Sequence, residues 1–366
     1  GSITIDAGGL LTATDVRSLT DSASNDISLV TTTGDVSLET VDAGSSGGLT
    51  VTSATGSITD VAGSAISADN TTLAANAGDI TLGDDATDTV NFGSLTFSAV
   101  NGDVDITEDS ATQLVGSNTA DGLDLVSAGA ITDDTGATLA VASLARLTGA
   151  NITLGDASAT VNFGSVQFAG SAVTITESSA MTIAATSSAT AGLLLDAADD
   201  ISLFGPLTVT GDATLVAGTT SGGVLINGTM TVSANVVIDA ADEIRNEAPI
   251  SAATVDLDAD DGITANAPVV ASTLITISAG EDGDGDVLVD GVLPEIGFLE
   301  TTDAGGDIDI TSGATSGSIT LNGDVITLDL LTLTSSGTGN ITQGNGTLLA
   351  ANLQVNAIGN VTLDQS

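Results

Sequence analysis

The chain has 366 residues and a formal net charge of −45, set by 48 acidic side chains against three arginines, Arg17, Arg146 and Arg245. It holds no Lys, His, Cys, Trp or Tyr, which excludes a Ser-His-Asp triad, a thiolate nucleophile, the usual zinc ligands, a Schiff-base lysine and a phosphate-binding lysine. Such a charge also argues against electrostatic binding to nucleic-acid backbones or anionic lipid, and no run of eighteen apolar residues offers membrane insertion.

Hydrophobic residues make up 42% of the chain and aromatic residues 2%, so a core must be aliphatic. The mean hydropathy of +0.39 separates the chain from acidic disordered segments. With 44 Gly and 4 Pro, and abundant Thr, Ser, Asp and Asn, it reads as short strands joined by tight turns. Gly, Asn and Asp are the residues expected to take positive φ at those corners.

Taken from the start, Gly1-Ser-Ile-Thr-Ile-Asp-Ala-Gly-Gly9 enters in mid-pattern, which predicts a processed chain or a segment of a longer one. One motif then recurs: apolar–polar–apolar, a turn of small or acidic residues, then Ile/Val–Thr/Ser–apolar. Leu73-Ala-Ala-Asn-Ala-Gly-Asp-Ile80-Thr-Leu82 and Leu195-Asp-Ala-Ala-Asp-Asp-Ile201-Ser-Leu203 are examples. Aligned on the apolar residue entering the turn, the copies run Ile5, Val30, Val51, Leu73, Phe97, Leu125, Leu147, Phe168, Leu195, Leu215, Ile238, Leu257, Ile277, Ile310, Leu333, Val355. That is 16 copies at about 23 residues each. The widest gap, Ile277 to Ile310, predicts a loop insertion at 291–307. Two residues earlier the chain is again apolar in most copies (Ile3, Leu49, Leu95, Leu193, Ile275, Leu331), with Ser28, Thr71, Ala145 and Ala213 as weaker fits. Alternation of period two assigns these residues inward and the intervening Thr and Ser outward.

A longer period lies on top. Ile80-Thr-Leu-Gly-Asp-Asp returns as Ile152-Thr-Leu-Gly-Asp-Ala, Val90-Asn-Phe-Gly-Ser as Val161-Asn-Phe-Gly-Ser, and Val104-Asp-Ile-Thr-Glu108 as Val173-Thr-Ile-Thr-Glu177, at offsets of 72, 71 and 69 residues. Three rungs read as one duplicated block. A rung of this length cannot bury its own apolar face, but stacking on a neighbour pairs every strand over one core. The expectation is therefore an all-β, right-handed parallel β-helix: a single β-solenoid domain over 1–366, with about 16 rungs and uncapped ends. At about 4.8 Å per rung it would form a rod on the order of 75–80 Å long.

The phrases Gly317-Ser-Ile-Thr-Leu321, Gly339-Asn-Ile-Thr-Gln-Gly-Asn-Gly-Thr-Leu-Leu-Ala-Ala-Asn-Leu353 and Gly359-Asn-Val-Thr-Leu363 resemble the rungs of filamentous-haemagglutinin-type exoproteins. They are also similar to giant bacterial β-strand-repeat surface proteins. The resemblance implies a secreted, rod-like protein at the bacterial cell surface, used in adhesion, matrix building or filament formation. Its implied partners are other copies of itself, end to end or laterally, flanking repeats of a longer chain, and surface glycans.

Acidic clusters supply the candidate sites. In Glu281-Asp-Gly-Asp-Gly-Asp286, Asp282, Asp284 and Asp286 alternate as in the first half of a calcium loop, but Val287 and Leu293 stand where its Gly and Glu would fall. A solvated turn is the competing reading. Asp239, Asp242 and Glu243, then Asp258, Asp260 and Asp261, then Glu281 and Asp282 occupy successive turns. Stacked one rung apart, two carboxylates repel by about 1 kcal/mol even in bulk water. Calcium or magnesium bridging would relieve this, and Asp239 and Asp258 join Asp282, Asp284 and Asp286 as candidate ligands; an acid-rich surface suited to salty water is the alternative.

No cofactor is required by the sequence, with Ca2+ the candidate ion. A single outward Thr rank suits a sheet face better than an ice-binding array. The acid pairs Asp84-Asp85, Asp133-Asp134, Asp199-Asp200 and Asp260-Asp261 fall in turns without an aromatic sugar platform. The expected function is non-enzymatic and structural: surface filaments, matrix, or the shaft of a large adhesin. A glycan-binding module is the alternative, and a polysaccharide-degrading β-helix enzyme a weaker one.

Overall fold

The computed structural model describes residues 1–155, 158–280, 285–290, 298–313 and 315–363. Among these residues there is no helix, and the strands pair in parallel, each with its counterpart roughly one turn later in the chain. The chain divides into two compact units, Gly1–Ser178 and Ser179–Ser366. Each unit is a β-solenoid of eight stacked turns, built from strands that range from two or three residues to 18 where one runs on round a corner.

In the first unit one column is continuous from end to end: Leu11, Val36, Ile58, Ile80, Val104, Leu123, Ala145 and Val166 lie in register. A second begins Ile5, Leu29, Val51, Leu73, Phe97. Leu29, not Val30, is the inward residue there. Ile27 and Leu29 are both buried while Ser28 between them is not fully so. The adjacent Leu29-Val30 pair had made the phase ambiguous, and the weak fit of Ser28 disappears.

After Phe97 the turn-entering series leaves its column. Thr119 and Ala120 stack on Ser98 and Ala99, so Asn118 lies over Phe97 and accepts its N–H at 3.0 Å. Leu139 and Val161 continue that column. Leu125, Leu147 and Phe168 belong to the neighbouring face, above Leu82 and Ile106. Three turns on from Phe97 stands Val161, and Phe168 comes seven residues later on the next face. The duplicated block therefore spans three turns plus one face.

The second unit keeps its phase. Leu195, Leu215, Ile238, Leu257, Ile277, Ile310, Leu333 and Val355 form one column, and the first three are 0% exposed. Met181, Ile201, Val224, Ile244, Ile263, Val287, Ile319 and Ile341 form another. Of the stretch read as a loop at 291–307, residues 291–297 lie outside the described residues. Phe298–Thr301 is a strand whose Leu299 is buried against Val269 and Val325. Burying one such aliphatic side chain contributes about 1.5–3 kcal/mol toward the cost of ordering the short strand that carries it.

The corners are closed by side-chain acceptors. Where Asp, Ser or Asn precedes the Ile/Val strand, its side-chain oxygen accepts the backbone N–H of its counterpart one turn on. Asp35 Oδ1 accepts from Ser57 N (2.9 Å), Ser57 Oγ from Asp79 N (3.1 Å), Asp79 Oδ1 from Asp103 N (2.9 Å), and Asp103 Oδ1 from Gly122 N (3.0 Å). The second unit repeats this with Asp200 to Gly223 N (2.8 Å), and with Asp286 to Ser318 N (2.7 Å), Ser318 Oγ to Asn340 N (3.1 Å) and Asn340 Oδ1 to Asn360 N (2.9 Å). Among the described residues only glycines take positive φ. The Asp and Asn of the corners thus act through their side-chain oxygens and not, as composition had suggested, through left-handed backbone.

This assigns a measurable role to a single carboxylate. Asp79→Ala removes the acceptor for Asp103 N–H and is expected to lower unfolding stability by about 1 kcal/mol. Asp79→Asn, which keeps the oxygen, is expected to match the wild type in urea denaturation; equal losses for both variants would remove the staircase as a stabilising element.

Candidate functional site

Of the carboxylates singled out in the sequence, Asp282 and Asp284 lie outside the described residues. Asp239 and Asp258 pair in register on the outer face of their sheet. Beside them Asp256 is pushed above the usual carboxylate range, by burial first and then by the charge of Asp239. Asp286 is elsewhere, at a corner, where it serves the staircase and lines a shallow groove with Asp242, Glu243 and Asp261. Asp242 is also pushed upward, chiefly because it shares a hydrogen bond with Asp261. The single acidic ridge read from sequence is therefore two arrangements, one on a strand face and one at a corner.

Among the described residues three carboxylates converge in the first unit. One oxygen from each of Asp60, Asp84 and Asp88 lies within 4.8 Å of the other two, and among the described residues this set could hold a hard cation. Local backbone builds it. Asp88 Oδ1 accepts from Gly63 N (2.7 Å) and Ser64 N (3.0 Å), while Asp88 Oδ2 accepts from Asp85 N (2.9 Å). Asp60 Oδ2 accepts from Ser64 Oγ (2.7 Å) and Gly83 N (2.9 Å), and its Oδ1 is buried without a hydrogen-bond partner. Burial pushes the Asp60 carboxyl upward; the bonds from Ser64 and Gly83 oppose this, and the charges of Asp88 and Asp84 add to it.

Gly83 holds the turn at φ +75°, where a Cβ would sit 2.2 Å from Thr107 O, so only glycine fits. The duplicated block repeats the frame in part: Asp133 Oδ2 accepts from Gly155 N at 2.7 Å. Ala159 takes the position of Asp88, so the carboxylate set is incomplete there. Asp60 was missed in the sequence because its partners are one turn away; Gly83-Asp-Asp-Ala-Thr-Asp88, an Asp-rich loop one turn after Asp60, was the available signal.

The motif Val-Asn-Phe-Gly-Ser builds a different feature twice. Asn91, Phe92 and Gly93 line a shallow groove with Asp42, Ser67 and Ala68. Asn162, Phe163 and Gly164 line another with Ala140, Val141 and the exposed Val100. Each Gly makes the tight corner: a Cβ would meet Asp69 O at 2.4 Å or Ala142 O at 2.2 Å.

Behind each Phe lies a glutamate that is only 1% exposed. Glu108 Oε1 accepts from Phe92 N (2.8 Å) and Ser110 Oγ (2.9 Å), and Oε2 from Thr112 Oγ1 (2.5 Å). Glu177 Oε1 accepts from Phe163 N at 2.8 Å. After Glu108 the chain turns early, so no strand follows over Val90–Phe92. Glu108 and Asp109, whose Oδ2 accepts from Val90 N at 3.0 Å, supply the oxygens a strand would have offered. Burial pushes the Glu108 carboxyl upward, against the pull of its three donors.

A carboxyl held above its ordinary range binds its proton to higher pH in the folded chain than in the unfolded one. Glu108 therefore stabilises least above its folded-state pKa, and stability returns on acidification. Glu108→Gln keeps an oxygen for Phe92 N–H and removes the charge. In urea denaturation from about pH 4 to about pH 8, its advantage over the wild type is expected to widen as pH rises; a pH-independent difference would contradict this. Glu108→Ala, which orphans the buried N–H, is expected to cost about 1–3 kcal/mol.

A family described as repeats of unknown function (DUF5649) matches residues 24–96 and 101–167. Both segments lie in the first unit, and their last residues, Thr96 and Gln167, are equivalent positions of the 71-residue repeat. No curated protein and no solved structure matches the chain. Over the matched residues the chain is thus similar to a family of tandem repeats, and the parallel stack gives the reason they come in tandem: one repeat alone leaves its core uncovered.

Proposed function

We propose that this chain is a non-enzymatic structural protein of the extracellular space, a β-solenoid that serves as the shaft of a bacterial surface adhesin or as the body of a filament or matrix. The observation that carries the reading is the in-register parallel ladder of each unit, in which every strand bonds to its counterpart and the corners are tied by side-chain acceptors. Such a ladder continues wherever another rung is offered, from flanking repeats or from a further copy.

Charge supports the same role. Arg17 pairs with Asp15 (2.6 Å), Arg146 with Asp124 (3.9 Å) and Arg245 with Glu247 (2.6 Å), so each cation is met locally and the outer faces stay acidic. Like-charged faces keep neighbouring solenoids from fusing, and divalent cations such as Ca2+ would let them approach. A second reading, glycan binding, rests on the paired Asn-Phe-Gly grooves, whose apolar floor and amide rim suit a sugar.

Small-angle scattering and negative-stain imaging of the purified chain are expected to give an elongated particle, and a compact one would overturn the shaft. Antibody labelling of intact producing cells checks the location. Added Ca2+ is expected to raise the melting temperature and a chelator to reverse it; no change removes the cations alone. A glycan-array signal abolished by Asn91→Ala and Asn162→Ala would favour the second reading over the first.

A further inference from the structure

Of the six Phe side chains four are buried and Phe298 is half-buried, while Phe204 is 49% exposed. It stands at a corner of the second unit, with further turns below it at Ile183 and above it at Val289. Four turns superpose there. Leu203, Ile226, Asn246 and Ala265 lie in register before the corner, and Leu207, Met230, Ile250 and Val269 after it. Each intervening segment has three residues, so Phe204, Asn227, Glu247 and Asn266 follow one another up the stack, as do Pro206, Thr229, Pro249 and Pro268. Asn227 N donates to Leu203 O (2.8 Å) and Glu247 N to Ile226 O (2.7 Å), which holds the first series in place.

The corner carries almost no charge. Over 201–209, 224–232, 244–252 and 263–271 the only charged side chains are Arg245 and Glu247, and these pair at 2.6 Å. Carboxylates flank it on both sides: Asp200, Asp242, Glu243 and Asp261 before the first strand of a turn, Asp212 after the second. Phe204, Pro206, Asn227, Thr229 and Pro249 are exposed. Among the described residues the Asn227 amide and the hydroxyls of Thr208, Thr229 and Thr231 make no hydrogen bond, while Asn266 Nδ2 donates to Glu247 Oε1 at 2.9 Å.

We infer that this corner binds a neutral saccharide, a pyranose ring lying on the face of Phe204 with its hydroxyls reaching Asn227 and the threonines. The face of an aromatic ring is negatively polarised and attracts the C–H bonds on the apolar side of a sugar. A corner is convex and covers a ligand from one side only. Its occupant must be apolar on that side and hydrated on the other, as a pyranose is. The patch spans about 15 Å along the stack and at most about 20 Å across it. That falls well short of the roughly 800 Å² per partner of a lasting protein interface, which argues against a second copy of the chain. The flanking carboxylates repel an anion within a Debye length, about 8 Å at physiological ionic strength, which argues against uronic and sialic acids. The site adds a ligand to the scaffold reading and is separate from the Asn-Phe-Gly grooves.

Native affinity electrophoresis of the purified chain tests this, in gels cast with laminarin, dextran, galactomannan or xyloglucan and, separately, with polygalacturonate. The expected result is retardation by at least one of the neutral polysaccharides and none by polygalacturonate. Phe204→Ala is expected to weaken binding about tenfold, with circular dichroism unchanged, and Phe204→Tyr, which keeps the ring, to match the wild type. Asn227→Ala is expected to weaken it as well, and gives the same reading should Phe204→Ala fail to fold. No retardation in any neutral gel, retardation by polygalacturonate, or retardation indifferent to Phe204→Ala overturns the inference. So does a dimer in sedimentation velocity that Phe204→Ala abolishes, which assigns the corner to a second copy. An elongated particle that binds none of these polysaccharides defeats this site and leaves the scaffold; a compact one that binds through Phe204 does the reverse.

Discussion

Parallel stacking is the constraint on which everything else depends. A turn of about 22 residues encloses too little to form a core, so its aliphatic side chains are covered only when the next turn lies directly above. That demand fixes register: Ile27 and Leu29 must sit over Ile3 and Ile5, because a slip by one residue would turn every inward side chain to solvent. Strands of three residues, such as Ile80–Leu82 and Ile201–Leu203, suffice because each is held on both sides by its counterparts.

The same constraint explains the composition. Where a strand gives way to a corner, backbone N–H groups continue to point along the stack while regular carbonyl partners run out. Short side chains carrying an oxygen fill the gap, and Asp, Ser and Asn alternate in that role from Asp35 through Ser57 to Asp79, and from Asp286 through Ser318 to Asn340. Much of the acidity is thus structural at its origin. Its cost is repulsion between turns, visible where Asp242 and Asp261 share a hydrogen bond and where Asp105 is pushed upward by burial and by Asp124 and Asp84.

Repeat in sequence and repeat in space are not the same in the first unit. Because the duplicated block covers three turns and one further face, equivalent residues such as Phe97 and Phe168 stand in different columns. The early turn after Glu108 absorbs the difference, and the buried glutamate is the compensation: it gives the Phe92 amide the oxygen that a missing strand withholds, and Glu177 makes the same bond to the Phe163 amide. A carboxylate buried without a cation is costly, and three donors around Glu108 make it tolerable.

The sequence by itself determined the class of fold and most of the core. Period-two alternation and the recurring turn identify which residues point inward, and from Leu195 to Val355 the column is as the alternation assigned it. These signals are local, carried by neighbours in the chain. Tertiary structure alone decided what depends on the residue one turn away: that Leu29 and not Val30 stacks on Ile5, that Asn118 follows Phe97, and that Asp60 meets Asp84 and Asp88 while Asp239 and Asp286 part company. Turn length varies from rung to rung, from 19 residues between Ile238 and Leu257 to 33 between Ile277 and Ile310, and each such change moves the partner of a given side chain without altering the local pattern that announces it.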